Sequence, residues 1–190
     1  NAADDLAAVR AVRKSISDDI LLMADFNQAL SVQEAIKPGR MLDDEGLYWI
    51  EEPVCADDFA GCARVAAELK TPVQIGENFY STYQMKEALA VHASDFVMPD
   101  LQRIGGISGW LRAAALADAA GCEMSSHLFP EVSATTLAVA PTCHWLEYVN
   151  WASRVLQEPL QIRDGMAVVP DRPGTGITWD ESAVARYRLE

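Results

Sequence analysis

The stretch LYWIEEP, residues 47–53, is a short apolar run that ends on an acidic residue, Glu51. The same pattern recurs at equal spacing on both sides, because Asp25 ends LLMAD upstream and Glu77 ends VQIGE downstream. A period of about 25 residues suits one strand, one helix and two loops of a parallel α/β barrel. The carboxyl ends of the strands in such a barrel converge on one rim. Side chains with this spacing are therefore predicted to share a pocket.

The repeat continues downstream of Glu77. Asp100 ends the run FVMPD at a slightly shorter interval, and Glu147 ends HWLE after nearly two further periods. His127, in EMSSHLF, falls between Asp100 and Glu147 and divides that long interval into two of ordinary length. The sequence thus predicts a polar site built on the rim of a barrel.

Strand-like and helix-like segments alternate along the chain, which is typical of a parallel sheet covered by helices on both faces. An opening helix is predicted over Ala2–Ile16. The strands are predicted at Leu21–Asp25, Leu47–Glu51, Val73–Gly76, Phe96–Met98, Cys122–Ser125 and Trp145–Val149. The remaining helices are predicted at Ser31–Leu42, Ala56–Leu69, Thr82–Ala90, Ile107–Ala120 and Val132–Ala140. Ser31 with Glu34 predicts a capping box, and Thr82 is expected to cap its own helix.

The strand count bears on the domain organisation. A closed barrel of this type has eight strands and about 250 residues, so two strands are expected upstream of the six visible in these 190 residues. We predict that residues 1–150 are the C-terminal part of a (β/α) barrel that carries the metal and catalytic residues. Residues 151–190, which include the hairpin-like DGMAVVPDRPGTG and a short terminal helix from Glu181, are predicted to be a tail that packs outside the barrel, towards a capping domain.

The composition of the chain limits its partners. A net charge of −13, from 28 acidic and 15 basic residues, argues against nucleic-acid binding because phosphate contact needs a basic surface. No apolar run approaches the length of a membrane span, and NAADDLAAVR lacks the pattern of a secretory signal, so we expect no membrane partner and a cytoplasmic location. The four cysteines form no CxxC pair and are predicted to be reduced, structural thiols: Cys55, Cys62, Cys122 and Cys143.

Asp25, Glu51 and Glu77 are candidate metal ligands, one from each of three successive strands. Convergent carboxylates without a thiolate or an imidazole suit a hard divalent cation such as Mg²⁺. A single acidic residue at the end of a strand is more often a helix cap or a surface charge. Three in register favour metal binding.

Asp100 and His127 end neighbouring predicted strands, so we expect their side chains to meet. A carboxylate that accepts a hydrogen bond from one imidazole nitrogen fixes the tautomer and prepares the ring for proton transfer. The alternative is a histidine that caps the following helix. The other two histidines, His92 and His144, fall away from the strand ends and are interpreted as structural.

Glu147 ends the last predicted barrel strand, where several carboxylates are expected to gather. Burial and repulsion from like charges raise the pKa of a carboxyl group. A protonated Glu147 is therefore expected to donate a hydrogen bond to a developing oxyanion.

The residues singled out above lie in motifs that resemble the enolase superfamily, and within it the mandelate racemase group (mandelate racemase/muconate lactonizing enzyme-like). The matching stretches, spread over nearly all of the chain, are ADFNQ, WIEEP, GEN, MPDLQRIGGISGW, MSSHLF and HWLE. The resemblance implies the α/β fold of that superfamily, a (β/α)7β TIM-like barrel. It also implies that the chain lacks the N-terminal capping domain and the first two strands.

The same resemblance implies a chemistry for the rim. Asp25, Glu51 and Glu77 would bind an essential Mg²⁺, while Asp100 and His127 would form the dyad that moves a proton alpha to a carboxylate through an enediolate. Such a proton is very weakly acidic, so a cation and a strong hydrogen-bond donor are needed where the charge accumulates.

The resemblance further implies that Glu147 hydrogen-bonds the substrate carboxylate and that Asn27 lines the same pocket. A racemase of this group needs a second base, the second lysine of a K-x-K motif that would fall just before Asn1. Neither lysine of that motif is present in the chain, which is therefore expected to be the C-terminal part of a longer enzyme, incomplete for catalysis as it stands.

Three functions remain open from the sequence. The leading prediction is racemisation of a 2-hydroxy acid, which Val149 favours as an apolar residue expected on the same strand face as Glu147. The second is dehydration of an acid sugar on the same scaffold, and the third is a catalytically silent fragment or binding module. If the chain is an enzyme, its partner is expected to be a small-molecule carboxylate, and a homo-oligomer is expected.

Overall fold

The computed structural model describes residues 2–189, and the chain divides into two compact units, Asn1–Met98 and Pro99–Glu190. Both units alternate helices with parallel strands, as the sequence predicts. The strands of the first unit are β1 (Leu22–Asp25), β2 (Leu47–Glu51), β3 (Val73–Ile75) and β4 (Phe96–Val97). Its helices are α1 (Ala2–Arg13), α2 (Val32–Leu42), α3 (Phe59–Glu68) and α4 (Thr82–Ala90).

The strands of the first unit pair in the order in which they occur along the chain. β1 pairs with β2, β2 with β3 and β3 with β4, and all three pairings are parallel. Parallel neighbours need a crossover between them, which α2, α3 and α4 supply. The carboxyl ends of these strands therefore lie at one edge of the sheet.

The helix starts in this unit follow from side-chain caps. At α2 the predicted capping box is confirmed: Ser31 Oγ accepts the N–H of Glu34 at 3.3 Å, and Glu34 Oε2 accepts the N–H of Ser31 at 2.9 Å. The prediction that Thr82 caps α4 is wrong. Ser81 has the extended backbone that a cap needs, and its Oγ accepts the N–H of Gln84 at 3.4 Å.

A small apolar cluster joins α1 to the sheet of the first unit. Its buried members are Leu42, Leu47 and Ile50, and Leu6 and Val9 of α1 pack against them. Val12, the next apolar residue at helical spacing along α1, is 44% exposed. The amphipathic face of α1 is therefore shorter than its sequence pattern indicates.

The second unit contains the last two parallel strands and the tail. The parallel strands are β5 (Glu123–Ser126) and β6 (Cys143–Leu146), and β7 (Gln161–Arg163) pairs with β8 (Met166–Val168) in an antiparallel hairpin. The helices are α5 (Gly106–Ala120), α6 (Pro130–Leu137) and α7 (Glu181–Tyr187), with one 3-10 turn at Ser153–Val155. The predicted hairpin and the short terminal helix are both confirmed.

The position of β6 corrects one expectation. Met124 pairs with Cys143 and Ser126 with Leu146, so β6 begins earlier than predicted and ends at Leu146. Val149 lies beyond this end, and its expected place on the same strand face as Glu147 is wrong. Cys143, on the same strand, is exposed.

The division of the chain after residue 150 stays a prediction. Whether residues 151–190 pack outside the barrel stays a prediction. None of the helices between residues 2 and 189 has the length and apolar character needed to cross a bilayer.

All four cysteines are free thiols, as predicted. Cys62 and Cys122 are buried, whereas Cys55 and Cys143 are exposed. Burial raises the pKa of the Cys62 thiol to about 12, and the nearby Asp58 and Glu52 carboxylates contribute to that increase. A thiol with this pKa stays protonated and unreactive at neutral pH.

Candidate active site

The ends of β1 and β2 bring two predicted metal ligands into register. Asp25 pairs with Glu51 across the parallel ladder, and Glu51 in turn pairs with Gln74 of β3. Paired residues on neighbouring strands direct their side chains to the same face of the sheet. Glu77, the third predicted ligand, follows shortly after the end of β3 at Ile75. The first unit thus carries the three carboxylates at one edge of its sheet, as the sequence predicts.

Neutral N–H groups hold two of these carboxylates. Asp25 accepts the backbone N–H of Asn27 on Oδ1 at 2.7 Å and the Asn27 side-chain amide on Oδ2 at 2.6 Å. Glu51 Oε2 accepts the indole N–H of Trp49 at 3.0 Å and the amide of Gln74 at 3.4 Å. These donors orient the carboxylates without neutralising their charge.

The third carboxylate shares its donor with a neighbour. The side-chain amide of Asn78 donates to Glu77 Oε1 at 3.3 Å and to Glu52 Oε2 at 2.9 Å. Glu52 directly follows Glu51 and is only 2% exposed. The sequence motif WIEEP therefore supplies two carboxylates with different surroundings, one half-buried and one buried.

The chemistry of this donor set fits a hard cation. Asp25, Glu51 and Glu77 offer carboxylate oxygens without sulfur or nitrogen ligands, which is the set that Mg²⁺ prefers. Within residues 2–189, no three side chains of Asp, Glu, His or Cys already stand together at metal-binding separation. The ligand roles of the three carboxylates therefore stay proposals.

The side chain of Asn27 contacts Asp25, a candidate metal ligand. Its backbone has a left-handed φ of 45°, and its side chain donates to Asp25. The expected contact of Asn27 with substrate stays a prediction. The immediate role of this side chain is to orient Asp25.

The predicted dyad forms in the second unit. Asp100 and His127 are partners in a parallel β-bridge, and His127 Nδ1 lies 2.7 Å from Asp100 Oδ2. The other oxygen of Asp100 accepts the backbone N–H groups of Gln102 and Arg103, each at 2.8 Å. Asp100 and His127 are 2% and 8% exposed. The pair is buried, and both oxygens of its carboxylate are held.

The surroundings of Asp100 set its protonation state. Burial alone raises the pKa of this carboxyl, but the hydrogen bonds from His127 and from the N–H groups of Arg103 and Gln102 outweigh burial. The pKa of Asp100 therefore lies below its ordinary value of 3.8. At neutral pH the group is a carboxylate, which accepts a hydrogen bond from the Nδ1–H of His127, so the lone pair of the neutral ring is on Nε2.

Glu147 is held against the chain segment that follows His127. Its backbone N–H donates to Ser126 Oγ at 3.1 Å, and its Oε2 accepts the backbone N–H of Leu128 at 2.6 Å. Glu147 is the residue directly after β6, one position beyond the last strand residue, Leu146. The contact with Leu128 fixes the Oε2 side of the carboxyl group.

Left-handed backbone occurs at the strand ends of both units. The non-glycine residues with positive φ include Asn27, Glu52, Leu128 and Phe129, and Gly76, which precedes Glu77, has φ 137°. Such conformations are rare outside glycine and concentrate at functional sites. They turn the chain sharply after a strand and so fix where the adjacent acidic or imidazole side chain begins.

Sequence reasoning missed the donors that orient the carboxylates. Two of them had a usable signal. Trp49 lies two residues before Glu51, hence on the same face of β2, and Gln74 is a polar residue between Val73 and Ile75 in an otherwise apolar strand. The backbone donor at Leu128 had no signal in the sequence. The direction of its N–H depends on a left-handed φ of 48°, which the residue type does not predict.

Comparison with known proteins places these features in context. Residues 1–183 match the family described as Enolase C-terminal domain-like. The chain is 39% identical over 183 residues to L-talarate/galactarate dehydratase of Salmonella typhimurium, covering 96% of this chain and 46% of that protein. It spans about half the length of the relatives it matches.

Two solved structures resemble it closely. One is an enolase from Bradyrhizobium complexed with magnesium and mandelic acid, with a TM-score of 0.96 and 46% identity over 100% of this chain and 52% of that one. The other is L-talarate dehydratase from Polaromonas complexed with magnesium and L-glucarate, with a TM-score of 0.92 and 36% identity over 97% of this chain and 52% of that one. These matches confirm the predicted α/β barrel class.

Proposed function

Because this chain belongs to the Enolase C-terminal domain-like family, we propose that it carries the metal-binding and proton-transfer residues of a Mg²⁺-dependent acid-sugar dehydratase. The observation that carries the proposal is the buried Asp100–His127 pair, with 2.7 Å between Nδ1 and Oδ2. The choice of acid sugars is supported by the dehydratase of Salmonella typhimurium and by the Polaromonas structure with L-glucarate.

In the proposed reaction, Asp25, Glu51 and Glu77 hold the cation. When bound, Mg²⁺ supplies positive charge that stabilises the substrate carboxylate as the proton alpha to it leaves. Neutral donors from Asn27, Trp49, Gln74 and Asn78 keep the ligand side chains oriented while preserving their negative charge.

His127 performs the proton transfer. Asp100 fixes Nδ1 as the protonated nitrogen, so Nε2 removes the alpha proton of the acid sugar. The resulting imidazolium then returns that proton to the β-hydroxyl, which leaves as water. The enol that remains becomes a 2-keto-3-deoxy acid, so atoms and charge balance without an added reductant or oxidant.

Glu147 is proposed to donate a hydrogen bond from an Oε1 hydroxyl to the substrate carboxylate. The Leu128 N–H holds its other oxygen, which fixes the direction of the carboxyl group. A group held in advance stabilises charge in the transition state without reorganisation at the moment of reaction.

Racemisation of a 2-hydroxy acid is the second candidate, favoured by the mandelic acid in the Bradyrhizobium structure. It needs a base on the opposite face of the substrate, and no residue of this chain is assigned to that role. The support that Val149 gave to this reaction loses its basis, because the residue lies beyond β6. The homo-oligomer expected from the sequence stays a prediction.

The two candidates differ in their products. The protein that contains all 190 residues of this chain would be incubated in D₂O with Mg²⁺ and galactarate, L-glucarate or mandelate. The 2-keto acid that forms and the deuterium incorporated into the substrate would be measured. We expect keto acid from an acid sugar in the wild type and about 10²–10⁴-fold less in His127→Asn. His92→Asn is the matched control: His92 is exposed with a left-handed φ of 54°, which asparagine tolerates.

The other outcomes are equally informative. Deuterium exchange into mandelate without keto acid from any sugar would replace dehydration by racemisation. Neither exchange nor keto acid, in a protein that binds Mg²⁺, would support the binding-module alternative.

A further inference from the structure

Glu52 is a buried carboxylate that the proposed reaction does not use. It is only 2% exposed, and it directly follows the candidate ligand Glu51 at the end of β2. A buried carboxylate is costly unless hydrogen bonds compensate it. Its side chain therefore needs a structural or functional explanation.

The backbone of Glu52 is held on both sides. Its N–H donates to the carbonyl of Gln74 at 3.0 Å, and its own carbonyl accepts the N–H of Gln28 at 2.7 Å. Between these bonds it adopts a left-handed φ of 37°. Neighbours on two sides thus fix a conformation that a glutamate rarely adopts, and the start of the side chain is fixed with it.

Both carboxylate oxygens of Glu52 accept from one amide. Asn78 Nδ2 lies 3.2 Å from Oε1 and 2.9 Å from Oε2 of Glu52, and 3.3 Å from Oε1 of Glu77. The amide has two hydrogens, so it can serve both carboxylates at once. Asn78 therefore forms a bridge between a buried carboxylate and a candidate metal ligand.

The bridge lies in a tight turn. Phe79 N–H donates to the carbonyl of Gly76 at 3.0 Å, so Glu77 and Asn78 are the central residues of the turn. Asn78 cannot shift without moving the Glu77 backbone. An anchor on the Asn78 amide consequently limits the rotamers of Glu77.

We propose that Glu52 is a positioning residue that acts through Asn78 to hold Glu77 in its metal-binding rotamer, and so sets the affinity of the site for Mg²⁺. This inference rests on the proposed function, in which Glu77 is a ligand. Partners of metal ligands commonly change affinity about 10–100-fold when they are removed. Glu52 is not a ligand itself in this proposal.

A charge effect is the competing explanation, because a buried carboxylate near a cation also attracts it. The two explanations differ at Asn78. Asn78→Asp keeps the shape of the side chain, removes the N–H donors and adds a negative charge. Positioning predicts weaker Mg²⁺ binding by this variant, whereas attraction between charges predicts tighter binding.

The experiment measures Mg²⁺ affinity by calorimetry, with Mn²⁺ paramagnetic resonance as a second readout, on the protein containing the complete chain. The variants are Glu52→Gln, Asn78→Ala, their double mutant and Asn78→Asp. We expect each single variant to weaken binding about tenfold or more. The double mutant should bind Mg²⁺ no more weakly than the single variant with the lower affinity, because both changes break the same bridge.

Two control variants distinguish failure of the positioning role from failure of the ligand assignment. Glu68→Gln removes a charge from the same unit at an exposed pair with Arg40 and should leave the affinity unchanged. Glu77→Gln should abolish tight binding. If it does not, the ligand assignment in the proposed function fails.

If Glu77→Gln abolishes binding but Glu52→Gln changes it less than twofold, only the positioning role is overturned. The positioning role is also overturned if the losses of Mg²⁺ affinity in the two single variants multiply in the double mutant. Tighter Mg²⁺ binding by Asn78→Asp overturns it as well. Should Glu52→Gln fail to fold, the half-buried Asn78 variants decide the question alone, because the bridge is lost in both.

Discussion

Asp100 Oδ2 lies 2.7 Å from His127 Nδ1, while Oδ1 of the same carboxylate accepts two backbone N–H groups, from Gln102 and Arg103. The carboxylate is thus fixed at both oxygens. Because an ionised carboxylate only accepts hydrogen bonds, Nδ1 must carry a hydrogen. The lone pair of the neutral ring is then on Nε2.

Asp100→Asn should reverse this tautomer. The amide oxygen is expected to stay on the two backbone N–H groups, so the amide NH₂ faces Nδ1 and requires a lone pair there. Nε2 would then carry the hydrogen and could not act as a base. We expect kcat to fall about 10²–10⁴-fold with little change in KM, and ¹⁵N NMR of His127 should report the change. A tenfold or smaller loss with the original tautomer would contradict this account.

The same carboxylate should make stability depend on acid. The pKa of Asp100 lies below 3.8 in the folded chain, so the unfolded chain binds its proton first on acidification. Its contribution to the free energy of unfolding is fully present above about pH 5 and is lost as the pH falls through 3.8 towards the folded pKa. Urea unfolding of wild type and Asp100→Asn should show a constant difference at neutral pH that narrows on this acidic side. If the difference in the free energy of unfolding between the two proteins widens as the pH falls, the prediction is wrong.

The cysteines should divide into two pairs by reactivity. Burial raises the pKa of Cys62 to about 12, and Cys122 is also buried, whereas Cys55 and Cys143 are exposed. We expect a thiol reagent at pH 8 to modify two cysteines in the native protein and four after unfolding. Cys55→Ser should lower the native count by one. Rapid modification of Cys62 before unfolding would show that its surroundings open readily.

Gly76 should not tolerate a side chain. It has φ 137°, and a Cβ there would lie 2.9 Å from the backbone nitrogen of Met98 and 3.0 Å from the ring of Phe79. Gly76→Ala is expected to lower the free energy of unfolding by about 3 kcal/mol or more. Gly46→Ala is the matched control: it has φ 71° with nothing within 4 Å of the added carbon. Its cost should be about 1 kcal/mol. Equal losses at the two positions would mean that the contacts at Gly76 relax.

The alternation of strands and helices, and the register of the acidic residues, could be predicted because both depend on short-range patterns. Asp25, Glu51 and Asp100 each follow a short apolar run, and a parallel sheet covered on both sides leaves few other places for such runs. The Asp100–His127 contact followed from neighbouring strand ends, and the structure confirms it at 2.7 Å.

The wrong predictions fall where backbone geometry or long-range strand pairing decides the structure. Ser81 and Thr82 are both good caps by residue type, and only the extended backbone at Ser81 selects between them. The start of β6 at Cys143 depends on its pairing with Met124, which is distant in the sequence and leaves no periodic trace in HWLEYV. The bridge from Glu52 to Glu77 required a turn that brings Asn78 back to the neighbouring strand end.

Glu52, Leu128 and Phe129 hold bulky side chains in a left-handed backbone, each at a cost of about 1–2 kcal/mol. A library selected only for heat resistance should therefore enrich glycine at these three positions. The selected variants would keep the barrel, but the side chains next to these three positions would lose their fixed direction. Substitutions intended to raise thermal stability should therefore be made on the helix surfaces and not at the strand ends.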